Sequence, residues 1–122
     1  GNGTASIFAN DPNVFTFSMH GTSAFPLKKQ QSDCDIAVPD STTDIEYLTL
    51  LTQNLSQIIE HFQPQIVLYQ SGVDLLWCDK LGRISLTLEG LKRRDMLVFE
   101  HCLSRNIPVA ACIGGGYAPD IN

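Results

Sequence analysis

Residues 66–74, Ile66-Val67-Leu68-Tyr69-Gln70-Ser71-Gly72-Val73-Asp74, decide the fold class of this chain. The continuous apolar run from Ile66 to Tyr69 follows Pro64 and stops at Ser71-Gly72. A short apolar run between such breaks reads as a strand covered on both faces, as in a parallel sheet. Downstream, Thr87 caps a predicted helix running to about Ser104, with Leu91, Val98, Phe99, Cys102 and Leu103 on its inner face. Pro108 to Cys112 reads as a second buried strand, followed by Ile113-Gly114-Gly115-Gly116-Tyr117. A parallel pair needs such a crossover helix, so this half is a βαβ unit.

Upstream the pattern repeats. Thr43-Asp44-Ile45-Glu46 has capping-box spacing. The helix it opens carries Leu48, Leu51, Leu55, Ile58, Ile59 and Phe62 at helical intervals and ends before Pro64. Asp35 to Val38 reads as a short strand closed by Pro39-Asp40, and Val14 to Met19 as an alternating strand. Between them, His20 to Asp33 reads as a polar loop. A short helix over about Gly3 to Ala9 stops at Asn10-Asp11-Pro12. Alternating strands and helices predict an α/β fold, a parallel sheet flanked by helices.

At 122 residues the chain has the size of one domain. Its 43% hydrophobic and 17% charged residues suit a packed core, and no apolar run has membrane-spanning length. The net charge of −5 argues against nucleic-acid binding, which rests on neutralising phosphates with Lys and Arg. No membrane or nucleic-acid partner is therefore expected. Gly1-Asn2-Gly3 reads like the middle of a structured protein, and Asp120-Ile121-Asn122 forms no closing helix, which suggests a fragment. The cysteines Cys34, Cys78, Cys102 and Cys112 have no CxxC spacing. They are expected to be free thiols in a reducing, intracellular compartment: cytoplasmic or, in a eukaryote, nuclear.

In open α/β sheets ligands bind beyond the carboxyl ends of the strands. Gln70-Ser71-Gly72-Val73-Asp74 and Gly114-Gly115-Gly116-Tyr117 occupy that position. Spacing alone leaves Asp74 open as a metal ligand, an acid/base group or a loop-stabilising carboxylate, and favours a structural role for Asp79. Tyr117 reads either as a donor to a developing oxyanion or as a packed phenol. Arg93-Arg94 reads as a solvated helix face. His20, at a strand end, is the one histidine placed for a site; His61 and His101 lie on helices.

Taken together, Ser71-Gly72-Val73-Asp74, Asp79-Lys80-Leu81-Gly82 and Gly114-Gly115-Gly116-Tyr117 resemble the histone deacetylase family, in its bacterial and class IV flavour. Gly1-Asn2-Gly3-Thr4 resembles the segment after that family's Asp-x-His zinc motif. Val14-Phe15-Thr16-Phe17-Ser18-Met19-His20 with Phe25-Pro26 follows the family's order, so the likeness covers nearly the whole chain. The resemblance implies an arginase/deacetylase-like α/β fold, incomplete in this chain. It implies zinc-dependent hydrolysis of N-acetyl groups from acetyl-lysine or a related acetylated amine. It places Asp74 as the last of three zinc ligands and Tyr117 as the catalytic oxyanion donor. Gly115 and Gly116 would shape the pocket, and Phe25 and Leu81 would wall the substrate tunnel. Phe8, Asp11, Val14, Ser18 and Met19 would supply mostly backbone oxygens to structural K⁺ or Na⁺.

The family's Asp-x-His ligands would precede Gly1, its base histidines lie further upstream, and His20 matches neither. Residues 1–122 are therefore expected to be the carboxyl-terminal part of a single deacetylase catalytic domain, inactive alone. Cys78 stands where the family has a small residue or glycine before the second aspartate. Two other readings remain at this point. One is a non-catalytic acyl-amine-binding or interaction module; the other is a nucleotide-binding α/β domain that uses Gly114 to Gly116.

Overall fold

The computed structural model describes residues 2–119; Gly1 and residues 120–122, read above as internal-looking ends, lie outside the described residues. The elements run α1 (Asn2–Ile7), β1 (Phe17–Gly21), β2 (Cys34–Val38), α2 (Asp44–Phe62), β3 (Val67–Gln70), α3 (Leu88–Leu103) and β4 (Val109–Cys112). β1 pairs with β2 in parallel, Phe17 opposite Cys34 through Gly21 opposite Val38. β3 pairs with β4 in parallel, Val67 opposite Val109 through Gln70 opposite Cys112, with α3 as the crossover. The expected parallel sheet is thus present as two two-stranded parallel pieces flanked by helices.

Local chemistry sets the boundaries. Val14 belongs to a turn rather than a strand, because its N–H donates to the Asp11 carbonyl (3.1 Å). The β1 ladder starts later and extends through His20 and Gly21, so the polar loop is shorter than the sequence suggests. At the start of α2, Glu46 accepts from both the Thr43 N–H and its hydroxyl (3.2 Å each). Asp44 then accepts from the Thr87 N–H (2.9 Å) and hydroxyl (2.6 Å), and Thr87 accepts from the Gly90 N–H (3.0 Å). Two helix starts are thereby tied together.

The core lies between α2 and α3. α2 buries Tyr47, Leu51, Leu55 and Ile59, a stripe at i+4 intervals; Leu48, Ile58 and Phe62 are half-buried beside it. α3 buries Leu91, Arg94, Val98 and Cys102. Leu103, expected on this inner face, falls past the stripe and is 64% exposed. Arg94, expected in solvent, is only 4% exposed.

The connection from Ser71 to Thr87 is no loose loop. Leu75, Ile84 and Leu86 enter the same core, and Leu76 and Leu86 form an isolated parallel bridge. The inner face of the second sheet, Val67, Tyr69 and Val109, packs on the core. On its other face Leu68 (70%) and Cys112 are exposed within this chain. All four cysteines are free thiols, and Cys102 is fully buried. Among the described residues, no helix is long and apolar enough to cross a membrane.

Candidate active site

The register of β3 and β4 puts Gln70 opposite Cys112, so the segments leaving both strands start side by side. Pairing continues beyond the strands. The Ser71 N–H and hydroxyl both donate to the Cys112 carbonyl (3.0 Å each), and the Val73 N–H donates to the Gly115 carbonyl (2.6 Å). This approach requires glycine. A Cβ on Gly114 would lie 2.7 Å from Gly72 N and Cα, closer than real Cβ atoms come.

The carboxylate of Asp74 lies over this glycine contact. A Cβ on Gly72 would meet Asp74 Oδ1 at 2.8 Å, and one on Gly115 would meet Oδ2 at 2.9 Å and Tyr117 Cε2 at 3.1 Å. Asp74 Oδ2 and the Tyr117 ring edge thus both face the point that a Gly115 Cβ would occupy. Gly116 lies against Val73, whose Cγ2 a Cβ would meet at 2.6 Å. Burial pushes the Asp74 carboxyl above the usual carboxylate range. The Asp79 charge adds to that shift, while Asp74's own backbone N–H and Arg94 oppose it.

Asp79 links the two segments. Its Oδ1 accepts from the Leu81 N–H (2.8 Å) and Gly82 N–H (3.0 Å), and its Oδ2 from the Tyr117 N–H (2.6 Å). Gly82 is pressed against the Asp74 backbone, where a Cβ would overlap the Asp74 carbonyl oxygen at 1.6 Å. The Leu81 carbonyl accepts from the Phe25 N–H (3.3 Å), which joins the backbones of these two residues. Their side chains are exposed, Phe25 by 73%, and Tyr117 is 54% exposed.

A second layer supports the first. Arg94 Nη1 donates to the Gly72 carbonyl (2.6 Å), while Arg94 Nε (2.9 Å) and Nη2 (2.7 Å) donate to Asp95 Oδ1. The Tyr69 hydroxyl donates to the same oxygen (2.5 Å), and the guanidinium stands 5.7 Å from the Tyr69 ring centre. Burial and this bond push the Tyr69 phenol well above its usual range. Burial takes the Tyr47 phenol to about 12. Sequence reasoning missed Arg94 by reading it with Arg93. The available signal was its place three residues after Leu91 and four before Val98, on the buried stripe.

The remaining candidates lie elsewhere. Phe8, Asp11 and Val14 share one turn, in which the Phe8 carbonyl accepts from Asp11 (3.0 Å) and the Asp11 carbonyl from Val14. Ser18 and Met19 are on β1, and the Ser18 hydroxyl contacts His20 Nδ1 (3.0 Å). Burial lowers the His20 pKa.

Among the described residues, no three His, Cys, Asp or Glu side chains cluster to hold a metal. Asp74 fits a zinc site as one arm of it: a half-buried carboxylate in a glycine cradle that a Cβ would fill. The same carboxylate makes Gly114 to Gly116 a poor phosphate cradle, since it sets a negative charge against Gly115.

Comparison with known proteins follows this geometry. The profile of the histone deacetylase domain matches residues 1–122. The chain is 46% identical over 122 residues to an uncharacterized protein of Picosynechococcus, covering all of this chain and 41% of that protein. It is 32% identical over 120 residues to histone deacetylase 2 of Arabidopsis thaliana, covering 96% of this chain and 31% of that protein. Among solved structures, an HDAC homologue from Aquifex aeolicus superposes with a TM-score of 0.79 at 26% identity, over 96% of this chain and 34% of that one. The chain thus spans less than half the length of the curated relatives it matches.

Proposed function

The chain belongs to the histone deacetylase family, and on that premise we propose that it forms the carboxyl-terminal part of a deacetylase catalytic domain. The reaction is hydrolysis of the N-acetyl group of acetyl-lysine or a related acetylated amine. The observation that carries this reading is the juxtaposition of Asp74 and Tyr117 over the side of Gly115 that has no Cβ. A metal-ligating carboxylate and a hydroxyl donor on adjacent segments are what acyl hydrolysis asks of this half of a site.

Asp74 is the residue of this chain that would hold zinc, together with donors from outside it. When bound, the zinc supplies Lewis acidity for the hydrolysis. Tyr117 donates its hydroxyl to the acyl oxygen as negative charge develops there. Gly115 keeps the space between carboxylate and phenol free of side chains, and Gly116 makes room for Val73 beside it. Phe25 and Leu81, joined at the backbone and exposed, offer apolar walls for a methylene stem. The base is proposed to come from outside this chain, so that residues 1–122 alone give no turnover. The turn of Phe8, Asp11 and Val14, with Ser18 and Met19, is proposed to donate backbone oxygens to structural K⁺ or Na⁺. A reducing, intracellular compartment is proposed, as the cysteine spacing suggests.

The test is hydrolysis of acetyl-lysine peptides and acetylated polyamines by the full-length protein carrying this sequence, with and without a zinc chelator. Chelator-sensitive turnover is expected. Ligand binding without turnover, in folded and zinc-loaded protein, would instead identify a non-catalytic acyl-amine-binding module.

A further inference from the structure

We propose that Asp79 is the positioning residue for Tyr117: its buried carboxylate fixes where the phenol stands relative to Asp74. This rests on the role proposed above for Tyr117. Asp79 is buried, and each of its oxygens serves a different segment. Oδ1 takes the Leu81 and Gly82 N–H groups of the connection that carries Asp74; Oδ2 takes the Tyr117 N–H of the segment after β4.

Asp79 is itself held by the core. Its N–H donates to the Leu76 carbonyl (2.9 Å), and Leu76 is bridged to Leu86, which is fully buried. Tyr117 has no comparable support. Its side chain is 54% exposed, and among the described residues the bond to Asp79 is the one hydrogen bond that holds residues 116–119. The position of the phenol therefore passes through a single carboxylate, anchored to the same Leu76–Leu86 frame that carries Asp74.

The chemistry requires a carboxylate. All three groups that face Asp79 are N–H donors, so both oxygens must accept. Asparagine has the same shape but would turn an NH₂ toward one set of donors, leaving that set unsatisfied. The amide oxygen satisfies more donors on the Leu81–Gly82 side, so the NH₂ faces Tyr117 and it is the Tyr117 segment that would shift.

The experiment uses the full-length protein with Asp79→Asn, Tyr117→Phe and the double variant. Asp79→Asn is expected to lower kcat on the order of 10- to 100-fold, with KM and zinc content little changed. In the Tyr117→Phe background the same change should have almost no further effect, since no hydroxyl remains to be positioned. Hydrogen exchange gives a readout separate from activity: the Tyr117 amide should be protected in the unmodified protein and exchange freely in Asp79→Asn. Losses that add in the double variant, or unchanged kcat in a folded Asp79→Asn protein when Tyr117→Phe is impaired, would overturn the proposal. So would an unprotected Tyr117 amide in the unmodified protein, a result that stands even if Asp79→Asn does not fold. Full turnover by Tyr117→Phe would sink the oxyanion role itself, and amide exchange would then decide whether Asp79 holds this segment.

Discussion

The guanidinium of Arg94 reaches from the buried face of α3 to the carbonyl oxygen of Gly72, 2.6 Å away, at the point where the chain leaves β3 toward Asp74. With Asp95 and Tyr69 it ties the crossover helix to the start of the candidate site. A cation so deeply enclosed is retained through its partners, and removing it leaves the Gly72 carbonyl unpaired and Asp95 with the Tyr69 hydroxyl but no counter-charge. Arg94→Met is expected to lower stability by roughly 2–4 kcal/mol, read from urea denaturation. Asp95→Asn, which keeps an acceptor for Arg94 and Tyr69, should cost less.

Tyr117→Phe removes a hydroxyl without changing the ring. If the hydroxyl acts on the oxyanion, kcat should fall about 10²- to 10³-fold, with KM little changed, in steady-state deacetylation by the full-length protein. Asp74→Ala should instead lower zinc content, measured by metal analysis after dialysis. A variant that retains full zinc would remove Asp74 from the ligand set.

Gly82→Ala tests the packing beneath Asp74. Its Cβ would occupy the Asp74 carbonyl oxygen's place, and that oxygen belongs to backbone that cannot rotate aside. The variant should lose about 1–3 kcal/mol or more and bind zinc less tightly, because the shift is transmitted to the Asp74 side chain. Thermal melting with zinc titration reads both effects.

Asp33 makes a pH prediction. Its carboxylate accepts the Thr16 N–H and hydroxyl (2.7 Å each), and these bonds hold its pKa below the ordinary aspartate value of about 4. A depressed folded-state pKa adds stability that is fully present above the unfolded value. That stability is lost as pH falls from about 4 through the folded-state pKa. Asp33→Asn should flatten the stability-versus-pH curve over that acid window and leave its slope near neutrality unchanged. Denaturation midpoints from pH 7 down to pH 2 provide the check.

The local elements were readable from order and spacing. Thr43 and Glu46 announce α2, Pro64 ends it, and the run from Ile66 to Tyr69 marks β3. Residues 71–74 and 114–117 could be assigned to one site because parallel strands release their carboxyl ends on the same side. The boundaries that moved did so through single hydrogen bonds, as where Val14 turns back to Asp11. Such bonds leave no trace in hydropathy.

What the sequence determined by itself is therefore the alternation of strands and helices, the parallel connection across α3 and the kinship carried by the Asp74, Asp79 and Tyr117 motifs. All of these depend on neighbours within a few residues or on the order of motifs along the chain. Tertiary structure decided the rest. It buried Arg94 while Leu103 stayed in water, and joined Asp79 to Tyr117 across 38 positions. Those outcomes depend on which groups meet after the chain has folded back on itself. A carboxylate's partners are set by that meeting and not by the residues beside it.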